Sequence, residues 1–208
     1  MTIYKPKLAA KVSAFLNGER PGAIADHSIC CKHEPRLAKD TRIVNVCAGC
    51  DRRFRELYDG ISTISLWEVL DERSDFSFPD YGGQSMTVHD ACPTRTEKRV
   101  HDAVRSLLEK MKVRVVEPQQ TRTRATCCGD SLYGSLPVEQ VRERMAKRAA
   151  VMPCEDVVVY CVSCIKAMHI GGRRPRYLVD LLFGEPTEPQ ECDPALWHGA
   201  LQKFIDAH

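Results

Sequence analysis

The sequence predicts an α/β protein of two related lobes, each built on a short parallel sheet flanked by helices. Three observations carry this expectation. The second half alternates strand candidates with amphipathic helices over residues 84–185. One run, "DVVVYC" (156–161), is almost wholly apolar, as a parallel strand covered on both faces must be. The first half carries the same ordered features in shortened form, which reads as an internal duplication.

In chain order, "TRIVNVCAGC" (41–50) is an apolar strand ending in Cys-x-x-Cys, and "LWEVLDE" (66–72) is a helix. The turn formers of "RSDFSFPDYGG" (73–83) mark the boundary, giving an N-terminal lobe over 1–78 and a C-terminal lobe over 79–208. "QSMTVHDAC" (84–92) is the next strand. Over 96–112, Val100, Val104, Leu107, Leu108 and Met111 recur at helical spacing. "VRVVE" (113–117) is a short strand, and 137–152 is a helix with Pro137 near its start. "DVVVYCVSC" (156–164) mirrors "TRIVNVCAGC", and "RYLVDLLFGE" (176–185) closes the unit as a helix.

The 208 residues carry a net charge of +2, from 30 basic and 28 acidic side chains, so there is no electrostatic case for nucleic acid as a partner. No apolar run approaches the ~20 residues of a membrane-spanning helix. The start lacks the apolar stretch of a secretory signal, and a cytoplasmic location is expected. Against that background eleven cysteines stand out, at 30, 31, 47, 50, 92, 127, 128, 154, 161, 164 and 192. An odd count in a reducing compartment argues for metal rather than for a disulfide framework.

Five of them form the pattern C-x34-C-C-x32-C-x2-C: Cys92, Cys127, Cys128, Cys161 and Cys164. Each falls at the C-terminal end of a predicted strand or in the loop beyond, where α/β sheets build their sites. Adjacent side chains such as Cys127 and Cys128 point apart, so one small ion is hard for both to reach. Five thiolates also exceed the four of a tetrahedral zinc ion, whereas a multi-iron cluster offers each sulfur its own iron. Gly129 permits a left-handed turn beside the pair.

"VHDACP", "CCGDSLYG", "YCVSC" and "YLVDLL" together resemble the CCG (cysteine-rich) domain, best known from the cluster-bearing subunit of heterodisulfide reductase. The resemblance covers residues 89–164. It implies a non-cubane [4Fe-4S] cluster on Cys92, Cys127, Cys128, Cys161 and Cys164. It also implies reduction of a thiol or disulfide substrate, or electron transfer to it. The chain has no ferredoxin run, flavin or nicotinamide fingerprint, or haem motif, so electrons are expected from a partner protein: a ferredoxin, a flavoprotein or an iron–sulfur subunit.

The first half departs from the pattern. No cysteine precedes Cys30 in the place of Cys92, "CCK" replaces "CCG", and the gap from Cys31 to Cys47 is short. Cys30, Cys31, Cys47 and Cys50 are therefore candidates for a second cluster or a zinc ion, or are relics that hold nothing. His33 is a further possible ligand there.

His89 and Asp90 match the family's His-Asp-x-Cys and are candidates to hydrogen-bond cluster sulfur or substrate; the plainer reading is a packed histidine and a turn-capping aspartate. Arg122, Arg124, Arg173, Arg174 and Arg176 flank the expected site, where solvated loop charges are the plainer reading. Cys154 and Cys192 lie outside both constellations and read as inert thiols. A zinc-stabilised interaction module and a cluster-based sensor or assembly protein are the alternatives from other classes.

Overall fold

Two parallel sheets organise the chain in a computed structural model that describes residues 6–18, 37–57 and 59–207. The smaller sheet pairs β1 (Arg42–Asn45) with β2 (Ser62–Ser65), from Arg42 opposite Ser62 to Asn45 opposite Ser65. The larger has four strands: β3 (Ser85–Val88), β4 (Arg114–Val115), β5 (Asp156–Val159) and β6 (Arg174–Tyr177). Their order is β4-β3-β5-β6, all parallel. The expected α/β class with short parallel sheets is the observed one.

Helices follow the strands. α1 (Pro6–Asn17) precedes β1, α2 (Ala48–Leu57) joins β1 to β2, and α3 (Leu66–Asp71) leaves β2 directly. A capping box starts α3: the Ser65 hydroxyl accepts from the Glu68 N–H, and the Glu68 carboxylate accepts from the Ser65 N–H. α4 (Lys98–Lys110) buries Val100, Val104, Leu107 and Leu108, the helical stripe read from the sequence. α5 (Val138–Ala150) connects β4 to β5, and α6 (Val162–Ile170) connects β5 to β6. α7 (Leu178–Leu182) and α8 (Pro194–Asp206) complete the chain, the latter capped by Asp193 with Pro194 in its first turn.

Several expected elements differ: the strand expected over 84–92 spans only Ser85–Val88, and that expected over 41–50 only Arg42–Asn45. The strand expected over 113–117 is reduced to Arg114–Val115. The helix expected from 176 is divided: Arg174–Tyr177 is strand β6, and helix begins only at Leu178. Pro175 lacks an N–H, but β6 is a sheet edge and pairs only with β5, so the missing donor is tolerated. The order strand, Cys-x-x-Cys helix, strand, helix occurs twice, as β1-α2-β2-α3 and β5-α6-β6-α7.

One core runs beneath both sheets. Leu66, Trp67 and Leu70 of α3 belong to the same buried cluster as Leu107 and Leu108 of α4. Trp67 meets Tyr160 edge-on with ring centroids 6.3 Å apart. The sheets also touch at their C-terminal edges, where the Ala48 N–H donates to the Tyr160 carbonyl at 3.2 Å and the Tyr177 hydroxyl donates to the Val46 carbonyl.

Candidate metal centre

In the order β4-β3-β5-β6 the connections leave β3 and β5 in opposite directions, and the crevice beyond their carboxyl ends is the natural site of such a sheet. Past β3 run His89, Asp90 and Ala91, then a 3-10 turn that starts at Cys92. Past β5 come Tyr160 and Cys161, the N-cap of α6; Cys164 lies in that helix's first turn. Cys127 and Cys128 enter from the loop between β4 and α5. All five sequence-derived ligands of the second lobe therefore face one crevice.

The sulfurs form a continuous row of thiol contacts. Cys92 meets Cys127, which meets Cys128, which meets Cys164, which meets Cys161. The row does not stop at the lobe boundary. Cys161 Sγ stands 3.8 Å from Cys47 Sγ, and Cys47 in turn contacts Cys50. The sequence assigned Cys47 and Cys50 to a separate site with Cys30 and Cys31; in the fold they join the second-lobe row. Cys30, Cys31 and His33 lie outside the described residues. Cys128, Cys161 and Cys164 are buried, whereas Cys92, Cys127, Cys47 and Cys50 retain partial exposure.

Charge is unevenly placed along the row. The Cys127 thiol is held far below its ordinary range by its contacts to Cys128 and Cys92, helped by the Ser131 hydroxyl at 3.0 Å and the Gly129 N–H at 3.3 Å. Gly129 makes that contact from a left-handed φ of 113°, and a Cβ there would sit 3.0 Å from the Met145 backbone nitrogen. Cys47 is likewise drawn well down by Cys161 and Cys50, and the N–H groups of Val162 and Gly49 point at its sulfur. Cys92 and Cys164 are pushed up, chiefly by their neighbours Cys127 and Cys128. Seven thiols this close cannot all ionise unless a cation shares their charge.

His89 is fully buried, and a nitrogen of its ring lies with the sulfurs of Cys128 and Cys164 inside a 4.8 Å group. Burial and then the adjacent Arg148 cation lower its pKa to about 3, so the ring is neutral. Arg148 Nε donates to His89 Nδ1 at 3.3 Å, which leaves the ring proton on Nε2, and Nε2 has no partner among the described residues. Arg148 is itself 5% exposed and makes no ion pair with a carboxylate among the described residues; its other contacts are the Gln120 side chain and carbonyl. A guanidinium buried among neutral hydrogen-bond partners calls for anions nearby, and Cys164, Asp90, Cys128 and Cys127 are the ones at hand.

Asp90 does something other than face the sulfurs. Burial would raise its pKa, but a two-pronged bond from Arg105 at 2.5 and 2.8 Å holds the carboxyl well below the carboxylate range. The Tyr160 hydroxyl, the Thr121 hydroxyl and the Arg122 N–H also donate to it. Asp90 thus ties together the ends of β3 and β5, helix α4 and the loop leading to Cys127. Four of the five flanking arginines have structural partners: Arg122 pairs with Asp102, Arg174 and Arg176 with Asp156, and Arg173 donates to the Ala149 carbonyl; Arg124 is exposed. Cys192 donates to backbone carbonyls of its own loop, away from the row.

The sequence reading missed Arg148. The signal was present: Val141, Met145, Arg148 and Ala149 share the buried face of α5, which puts a cation on an apolar stripe. No family model, curated protein or solved structure matches the chain. The donor set suits a soft, thiolate-binding metal or an iron–sulfur cluster: neighbouring thiol sulfurs, a buried guanidinium with no carboxylate ion pair among the described residues, and a buried imidazole in one group with Cys128 and Cys164.

Proposed function

We propose that this chain is an iron–sulfur redox protein of the heterodisulfide reductase type, acting on a thiol or disulfide substrate with electrons from a partner protein. The observation that carries this reading is the gathering of Cys92, Cys127, Cys128, Cys161 and Cys164, from three separate segments, at the carboxyl ends of β3 and β5. These five would hold the cluster. When bound, it supplies single electrons and an iron to which a sulfur substrate can coordinate.

The chain's own residues have distinct parts in this reading. Cys128, Cys161 and Cys164 form the dry end of the site, while the partly exposed Cys92 and Cys127 form the open end, where substrate or electron donor approaches. Ser131 and the Gly129 N–H support negative charge on the Cys127 sulfur. Asp90, through Arg105, Thr121 and Tyr160, fixes the loops that carry the ligands. The partner is a ferredoxin, a flavoprotein or an iron–sulfur subunit, met in a reducing, cytoplasmic setting.

The test is metal and acid-labile sulfide per chain on anaerobically purified protein, with EPR spectra before and after oxidation. Iron with matching sulfide and a paramagnetic oxidised state is the expected result. Zinc alone, without sulfide, would overturn the redox reading and favour an interaction module.

A further inference from the structure

The two Cys-x-x-Cys segments meet. Cys47 immediately precedes α2 and Cys161 immediately precedes α6, so both sulfurs lie at the partially positive N-terminal ends of helices. The N–H of Val162, the first residue of α6, points at Cys47 across the lobe boundary. The two sulfurs are 3.8 Å apart. Two thiolates on one tetrahedral metal, with bonds of about 2.3 Å, also stand about 3.8 Å apart.

The join is anchored on both sides by bonds that do not involve sulfur. Ala48, next to Cys47, donates its N–H to the carbonyl of Tyr160, next to Cys161. The Tyr177 hydroxyl, at the end of β6, donates to the carbonyl of Val46. Strand ends from both sheets are thereby held at one height, and the fully buried His89 ring lies with Cys128 and Cys164 in the same group of ligand atoms.

Resting on the metal-centre reading above, we propose that Cys47 of the first lobe ligates the same metal as Cys161. The centre then spans both lobes instead of belonging to the second alone. Cys161, which touches both Cys47 and Cys164, is the sulfur at which the first-lobe pair joins the row. Cys50, in contact with Cys47, is the next sulfur outward on that side. The centre acts as a clamp: loading it adds a metal link between the starts of α2 and α6, and losing it leaves the hydrogen bonds of Ala48 and Tyr177 to hold them.

The experiment compares metal per chain in anaerobically purified wild type, Cys47→Ser, Cys161→Ser and Cys154→Ser, with circular dichroism to establish that each is folded. Cys47→Ser and Cys161→Ser are expected to lose the same metal, by roughly half of its content or more, while Cys154→Ser keeps all of it. A folded Cys47→Ser with wild-type metal content and EPR spectrum would overturn the proposal. A second measurement on the wild type needs no variant. Iodoacetamide labelling read by peptide mass is expected to modify Cys47 about tenfold more slowly while metal is bound than after chelation; equal rates would overturn shared ligation. A chain carrying zinc that both serine variants lose would sustain shared ligation while sinking the iron–sulfur reading, and a chain that takes up no metal would sink both.

Discussion

At His89 the two ring nitrogens have different environments, and the difference sets what the side chain can do. Nδ1 accepts from Arg148, so the proton sits on Nε2, which has no partner among the described residues, and the ring lies in one group with the sulfurs of Cys128 and Cys164. An N–H aimed at thiolate or sulfide disperses negative charge, which favours the reduced form of a cluster and strengthens retention of any thiolate-bound metal. Replacing His89 with Leu is expected to shift the midpoint potential to more negative values and to weaken metal binding by roughly 10–100-fold. His89→Gln, which keeps an N–H at a similar reach, is expected to restore most of both. Anaerobic potentiometric titration and chelator competition read the two effects. A leucine variant indistinguishable from the glutamine variant would remove His89 from this role.

At the level of elements, one buried carboxylate sets the geometry of three loops. Asp90 receives Arg105 from α4, Thr121 and the Arg122 N–H from the loop before the CCG segment, and Tyr160 from the end of β5. Arg105 is relieved in part by Glu117, but its contact with Asp90 is the buried one. Asp90→Asn leaves the guanidinium short of its buried partner and is expected to cost about 3–5 kcal/mol, the scale for breaking a buried ion pair from one side. Urea denaturation measures this; a loss under about 1 kcal/mol would mean the pair behaves like an exposed one. The sequence motif His-Asp-x-Cys marked the right aspartate, but its task could not be read, because Arg105 and Tyr160 reach it from distant positions in the chain. The elements themselves were legible where one physical signal dominated: β5 from its unbroken apolar run, α4 from its 3.6-residue stripe. β6 was hidden because Pro175 and two arginines do not look like strand; they are tolerated because Asp156 pairs with Arg174 and Arg176 at a sheet edge. The five-cysteine set was legible from spacing alone. The nearness of Cys47 to Cys161 was not, since it depends on how α3 docks on α4 and how the ends of two sheets come level.

Across the whole molecule, the continuous core makes the two lobes a single folding unit. The buried cluster passes from α3 into α4 and on to β5 without a break, so denaturation is expected as one transition. Its pH dependence follows from buried histidines. His89 is neutral with its pKa lowered to about 3, and His101 is lowered by burial and by the cations Arg105 and Arg122 despite Asp90 nearby. Once unfolded, both rings return to an ordinary value near ~6.5. Below that pH the unfolded chain takes up protons that the folded chain refuses, so stability falls as the pH drops from about 6.5 toward the folded values. Each histidine contributes a slope of up to about 1.4 kcal/mol per pH unit. If the cysteines hold the proposed metal, its loss in acid adds a term of the same sign, so the histidine part is best isolated by difference. His101→Asn removes one titrating ring and leaves the cysteines untouched; its stability is expected to fall less steeply than wild type between pH 7.5 and 5.5, by up to one proton's worth of slope. Urea unfolding at several pH values, on protein of matched metal content, measures it. Parallel wild-type and variant curves would mean that His101 titrates alike in the folded and unfolded chain, which its 1% exposure and its place under Asp90, Arg105 and Arg122 argue against.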